Sequence, residues 1–227
     1  MITPDQHIAD IVTNDYRTAG VFKQYGIDFC CGGKIPLSEV CQKKGIDIDV
    51  LSGELQNLYE TPSMNTDYTS WSINRLSDFI VGYHHGYIRD AIPRITSYAH
   101  KVASRHGNTH PDLIEIYEEF QRLSAELLDH AEDEESRVFP ALKSLSNGNR
   151  PDDATLKSMI NELESEHTAA GDSIARIRTL TGDFTPPEWA CNTFRILFKE
   201  LEAFESDLHH HVHLENNILF RKAQMTL

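Results

Sequence analysis

The chain has 227 residues, 40% of them apolar and 25% charged, a composition of folded globular proteins that excludes collagen-like and disordered classes. Its 21 basic and 35 acidic side chains leave a formal charge of -14. That sign repels phosphate backbones and anionic bilayers, so neither nucleic acid nor a membrane surface is an expected partner.

The first residues, MITPDQHIAD, lack the basic stretch and apolar run of a targeting segment, and no stretch approaches the ~20 apolar residues that span a bilayer. A cytoplasmic location is therefore expected. Four cysteines are too few for a disulfide framework, and the adjacent pair Cys30-Cys31 suits a reducing compartment.

Residues 1–60 are predicted to form a small helical N-terminal domain of short helices broken at Gly20, Gly26, Gly32-Gly33 and Gly45. A polar linker over 61–72 follows. Four long amphipathic helices are then predicted at roughly 73–105, 112–145, 153–180 and 187–223, separated by Gly-, Asn- and Pro-rich gaps. Pro93 and Pro140 are expected to kink or end the helices that contain them. Short connections make neighbours antiparallel, so residues 73–227 read as an up-down-up-down four-helix bundle and the whole chain as all-α.

The histidines fall where the helical period places the core. The second long helix carries Leu113, Ile116, Phe120, Leu123, Leu127, His130, Glu134 and Val138 on one stripe, and the fourth carries Leu197, Leu201, Phe204, Leu208, His211, Glu215 and Ile218. The third has a lone His167 between Leu163 and Ala170. In the first, Ile73, Leu76 and Ile80 lead to His84, whereas Val81, Ile88 and Ile92 put His85 in register, and both remain open on pattern alone.

Four residues advance a helix by about 6 Å and return within about 40° of the same direction. Each HxxxE pair can therefore present both side chains to one place. Buried carboxylates and imidazoles cost several kcal/mol per unpaired charge unless a cation offsets them. Two carboxylates can bridge two metals, and nitrogen with carboxylate donors in a bundle core favours iron or manganese over structural zinc. His209 and His213 form an alternative HxxxH pair, but the apolar stripe favours His211; Glu164 with His167 forms a single ExxH with no second copy in a matching helix, which leaves Glu164 a minor candidate. Glu126 stands one turn before His130 and Glu166 immediately before His167, as second-layer or channel groups or as a solvated face.

The segments Asp28-Phe29-Cys30-Cys31-Gly32-Gly33-Lys34, His130-Ala131-Glu132-Asp133-Glu134 before Val138-Phe139-Pro140, Glu164-Ser165-Glu166-His167, and His211-Val212-His213-Leu214-Glu215-Asn216-Asn217 together resemble the Repair of Iron Centres proteins of the YtfE and ScdA type. The resemblance spans essentially the whole chain. It implies a hemerythrin-like bundle with two non-haem irons, oxo- or hydroxo-bridged, held by His84, His130, Glu134, His167, His211 and Glu215, and so selects His84 over His85. It also implies repair of iron-sulfur clusters damaged by nitrosative or oxidative stress, with damaged iron-sulfur proteins or assembly factors, nitric oxide or oxygen as partners and a homodimer as one possible state.

Cys30 and Cys31 are assigned a redox or iron-delivery role, because adjacent cysteines make a poor structural disulfide and the two glycines behind them permit close approach of a partner. Cys41 and Cys191 are expected in the core. Two alternatives use the same ligands: a di-iron nitric oxide reductase, and a non-catalytic sensor or carrier of oxygen or nitric oxide.

Overall fold

The computed structural model describes residues 2–61, 66–149 and 152–226. Part of the expected linker, 62–65, and the pair 150–151 lie outside the described residues. Among the described residues every regular element is helical, apart from one isolated bridge between His7 and Pro36.

The N-terminal region holds α1 (Ile8–Asn14), α2 (Thr18–Gln24), α3 (Leu37–Lys44) and α4 (Ile48–Glu60). Gly45 ends α3 at φ 67°, in the left-handed region where a Cβ is disfavoured. The Asp47 carboxylate then starts α4 by accepting from the amide of Asp49 at 2.9 Å. Gly20, expected as a break, lies inside α2; a single glycine weakens a helix without ending it when packing holds the turn.

The bundle's first arm is α5 (Ile73–Phe79), a π-helical turn at Ile80–His85, and α6 (Gly86–His106). The second is α7 (Asp112–Asp133), a π turn at Glu134–Val138, and α8 (Phe139–Ser146). The third is the single helix α9 (Asp153–Leu180), and the fourth is α10 (Asn192–Leu214), a π turn at Glu215–Leu219, and α11 (Phe220–Thr226). Ser72 and Asp152 cap the first and third arms through the amides of Arg75 and Thr155. The fourth arm starts at Asn192 rather than near 187, since Pro186 and Pro187 precede a turn that the helix cannot include. Pro93 is carried within α6, while Pro140 sits at the start of α8, just past a π turn.

α6 packs on α7 and α10, and α9 packs on the same two helices. This closes an up-down-up-down four-helix bundle. Its core falls into two apolar parts. One, with Ile73, Leu76, Ile80, Val138, Leu142, Leu163, Ile218 and Phe220, fills the end near the chain termini of the arms. The other, with Ile88, Ile95, Phe120, Leu123, Ile174, Leu201 and Leu208, is continuous with Ile8, Ile11, Phe22, Leu37 and Leu51 of the N-terminal region. Thus α1–α4 share a core with the bundle. Cys41 is buried as expected, but Cys191 is exposed, because it precedes α10 in the extended turn instead of riding on a core stripe.

Charged contacts fix that docking. Glu205 on α10 is 1% exposed and accepts from Lys23 of α2 at 2.8 Å and from Arg178 of α9. Burial pushes this carboxyl up, but Arg178 and Lys23 outweigh it and hold it below its ordinary value. A depressed carboxyl stabilises the fold above its unfolded pKa of about 4.3, and the contribution disappears as pH falls through the folded value. Glu205→Gln is expected to cost roughly 2 kcal/mol at pH 7, less than a fully buried pair because both cations keep partial exposure. Urea titrations at pH 7 and at pH 3 check this: the difference between variant and parent should be largest at pH 7 and shrink as the pH is lowered.

Candidate metal centre

Between the two apolar parts lies a layer of buried ionisable groups, one set from each arm. His84 and His85 precede α6, His130 and Glu134 end α7, His167 is mid-α9, and His211 and Glu215 end α10; all are 7% exposed or less. Three of the four arms change to π-helical hydrogen bonding at this level, and the π segments contain His84, His85, Glu134 and Glu215. A π turn bonds each amide to the carbonyl five residues back, which widens one turn and re-aims its side chains inward; such turns recur at functional sites.

The donor atoms converge in two groups of four. His85, Glu134, His211 and Glu215 form one, and His130, Glu134, His167 and Glu215 form the other; within each, the atoms lie within 4.8 Å of one another. Both groups contain Glu134 and Glu215. In the first, His85 Nε2 is 3.2 Å from Glu134 Oε2 and His211 Nε2 is 3.0 Å from Glu215 Oε1. In the second, His130 Nε2 and His167 Nε2 are 3.0 Å apart, and His167 Nε2 is 3.1 Å from Glu215 Oε2.

His84, the residue the family resemblance selects, is not in either group of four. It lies beside the first with its ring parallel to that of His211 at 5.3 Å, and its buried Nε2 has no hydrogen-bond partner. His85 reaches the carboxylates instead. Both oxygens of Glu134, Oε2 of Glu215, Nδ1 of His211 and Nε2 of His85 are likewise buried without hydrogen bonds. So many unsatisfied lone pairs in a dry interior are the arrangement a cation relieves. The residues present therefore fit a bound metal.

Electrostatics supports the same fit. Burial, with Glu215 alongside, pushes Glu134 well above the ordinary carboxyl value, while His211 and His167 overcome burial to hold Glu215 well below it. Burial takes His211 down to about 3, so its imidazole is neutral and able to donate a lone pair.

Four of the imidazoles are oriented by a second partner. Nδ1 of His84 donates to Asp207 at 3.0 Å, that of His85 to Glu135 at 2.7 Å, that of His130 to Glu166 at 2.6 Å and that of His167 to Asn216 at 2.8 Å. Each bond fixes the proton on Nδ1 and leaves Nε2 as the ligating atom. Asn216 is held in turn, since its amide group donates to the Cys30 carbonyl at 3.3 Å and its oxygen therefore faces His167. Of these partners only Glu166 is identified from sequence position. Asp207 and Glu135 were legible only as acidic residues one turn from His211 and next to Glu134, and Asn216 as half of an Asn-Asn pair following the last ligand.

A cavity of about 490 Å³ opens from the surface onto His130, His167 and His211. Glu126, Asp129, Asp133, Glu162 and Glu166 line it, with Arg137 held across two of them by bonds to Asp133 at 2.7 Å and Glu162 at 3.5 Å. Glu164 points away from the ligands and pairs with Lys34 at 2.6 Å. His209 and His213 do not converge: His213 is turned to Thr13 and Asn217, and His209 lies against Phe29. Cys30 and Cys31 are free thiols brought to the edge of the layer, where Cys31 Sγ is 4.0 Å from the Asn216 amide. Gly33 behind them packs closely. A Cβ there would meet the Phe29 carbonyl at 2.3 Å and Ala9 at 2.9 Å, so it permits close packing of the loop on α1.

A four-helix bundle with donors from all four arms is the architecture of a cation-binding hemerythrin domain, and the Hemerythrin HHE cation binding domain model matches residues 80–223. The ScdA_N model, described as a domain of unknown function (DUF542), matches residues 4–59. The chain is 35% identical over 222 residues to the iron-sulfur cluster repair protein ScdA of Staphylococcus haemolyticus, covering 98% of this chain and 99% of that protein. It is 32% identical over 224 residues to the ScdA of Staphylococcus epidermidis, with the same coverage. To the iron-sulfur cluster repair protein YtfE of Yersinia pseudotuberculosis it is 34% identical over 207 residues, 91% of each chain. The chain belongs to the ScdA/YtfE family. Among the described residues no helix is long and apolar enough to cross a membrane.

Asn216→Leu should keep the bundle folded while weakening metal retention about 10- to 100-fold, the range for loss of an orienting partner. Competition with a chromophoric chelator measures this, and unchanged retention would show that His167 is oriented without Asn216.

Proposed function

We propose that this protein is a di-iron protein that restores damaged iron-sulfur clusters by giving up iron from its bundle site. The observation that carries the reading is the sharing of Glu134 and Glu215 by two groups of four donors, the disposition needed for two carboxylates to bridge two ions. His130 and His167 would terminate one iron, and His211 with the His84-His85 pair the other. The histidine and carboxylate donors suit iron in a redox-active bundle site. When bound, the ions supply a reducible centre with positions open to exchange.

The protein's own residues define how that exchange runs. Glu126, Asp129, Asp133, Glu162 and Glu166 give the cavity mouth a negative potential that concentrates cations at the ligands and would repel an anionic chelator. Glu166 belongs both to this mouth and to the orientation of His130. An ion passing outward thus meets an acidic side chain already bonded to one of its ligands. This favours iron exchange over gas capture as the cavity's task. The names of the relatives supply the recipient class, damaged iron-sulfur proteins.

Protein purified without oxygen should hold about two irons per chain, and Glu134→Leu or Glu215→Leu should each lose the dinuclear spectrum. Full occupancy in both would place the bridges elsewhere. His84→Ala and His85→Ala, compared by iron content, assign the first-arm ligand: the geometry predicts the larger loss for His85. Glu126→Leu should leave iron content unchanged while slowing its release to a neutral chelator. The function is tested with Cys30 and Cys31 both changed to Ser, which should keep the di-iron spectrum but lower reactivation of a damaged iron-sulfur enzyme; reactivation at the parental rate would remove the thiols from delivery.

A further inference from the structure

The loop that carries the two cysteines is built around one carboxylate. Asp28 Oδ1 accepts from the amides of Cys30 at 2.9 Å and Cys31 at 3.0 Å, and Oδ2 accepts from the amide of Gly32 at 2.7 Å. The turn also gathers two thiols that its own shape does not need. Cys30 Sγ lies 3.3 Å from Asp28 Oδ1 and 3.9 Å from Cys31 Sγ, so two sulfurs and a carboxylate oxygen lie within 4.8 Å of one another. They line one cavity of about 250 Å³, together with His209.

We infer that Asp28, Cys30 and Cys31 form a mononuclear site for a thiophilic divalent cation, separate from the bundle centre. Two thiolates and a carboxylate are a donor set that selects soft or borderline ions over calcium or magnesium. As thiolates beside the Asp28 carboxylate the two sulfurs would repel it and each other, so their deprotonation is linked to the arrival of a cation. Without one, hydrogen bonding to Cys31, burial and the Asp28 charge hold the Cys30 thiol well above its ordinary value. Binding exchanges two S–H bonds for two metal–sulfur bonds, and both protons leave to solvent; no electron is transferred.

The site is one side chain from the bundle centre. Asn216 donates toward Cys31 Sγ and the Cys30 carbonyl while accepting from His167 Nδ1. It faces a different cavity from the acidic mouth, with Asp172 and the buried Glu205 in its wall. The loop is seated on α1, where the amide of Ala9 donates to the Gly33 carbonyl at 2.9 Å. The use of the site rests on the repair reading above: it would hold ferrous iron between the bundle and a recipient.

Full-length protein, with its bundle iron loaded and its thiols reduced under anaerobic conditions, is titrated with Co(II) as the probe. One further equivalent should bind with a thiolate-to-cobalt charge-transfer band in the near ultraviolet and no loss of the iron spectrum. The band should be absent when Cys30 and Cys31 are both Ser. Asp28→Asn, which keeps an oxygen to hold the turn, should bind at least ~10-fold more weakly. No band in the parent, a band that survives the double Ser change, or parental affinity in Asp28→Asn overturns the site. If the band is missing but the double Ser variant still repairs poorly, the repair reading stands without this site. If the band saturates and repair is unaffected, the site stands and its part in repair falls.

Discussion

Two buried carboxylates, Glu134 and Glu215, set the terms for the rest of this structure. Both are wholly withdrawn from solvent and face several imidazoles across the bundle axis. In a medium of low effective dielectric their mutual repulsion and lost hydration would cost several kcal/mol for each unpaired charge. The layer persists because each arm contributes a nitrogen or carboxylate donor to it and because the two apolar halves of the core close over both its sides. A cation between the donors converts the least favourable part of the bundle into the point where the four arms are tied together.

The local backbone follows from that requirement. A regular α-helix presents positions three and four apart, and each arm must here deliver groups at a level fixed by the other three. The π turns at Ile80–His85, Glu134–Val138 and Glu215–Leu219 make this adjustment on three arms. Around them, Asp207, Glu135, Glu166 and Asn216 hold the imidazoles with Nε2 inward. Three of these partners are acidic, so they also strengthen the histidines as bases.

The N-terminal region is joined to this layer, not merely appended to it. Its apolar residues are continuous with one half of the bundle core, and Glu205, Glu164, Asn216 and Asn217 receive its charged and backbone groups. Asn216 matters most, since one amide side chain bonds a metal-facing histidine and the cysteine loop at once. The chain thereby places two chemically different sets of donors, thiols and imidazole-carboxylate, within a short distance without mixing them.

The amino-acid sequence by itself determined the all-α class, the four arms and the core stripe on which His130, Glu134, His167, His211 and Glu215 stand, because helical period is a local property and a polar residue on an apolar stripe is visible within one segment. It also marked Glu166 and the cysteine pair. It left His84 and His85 unresolved, as adjacent residues on an arm whose π turn no pattern announces; packing brings His85 to the carboxylates and sets His84 against His211. Tertiary structure alone decided that Asp207, Glu135 and Asn216 orient histidines on other arms, that Gly33 seats the cysteine loop closely against α1, and that Cys191 faces solvent. Those facts depend on which atoms meet across elements up to 123 residues apart, and periodicity along a chain carries no record of such meetings.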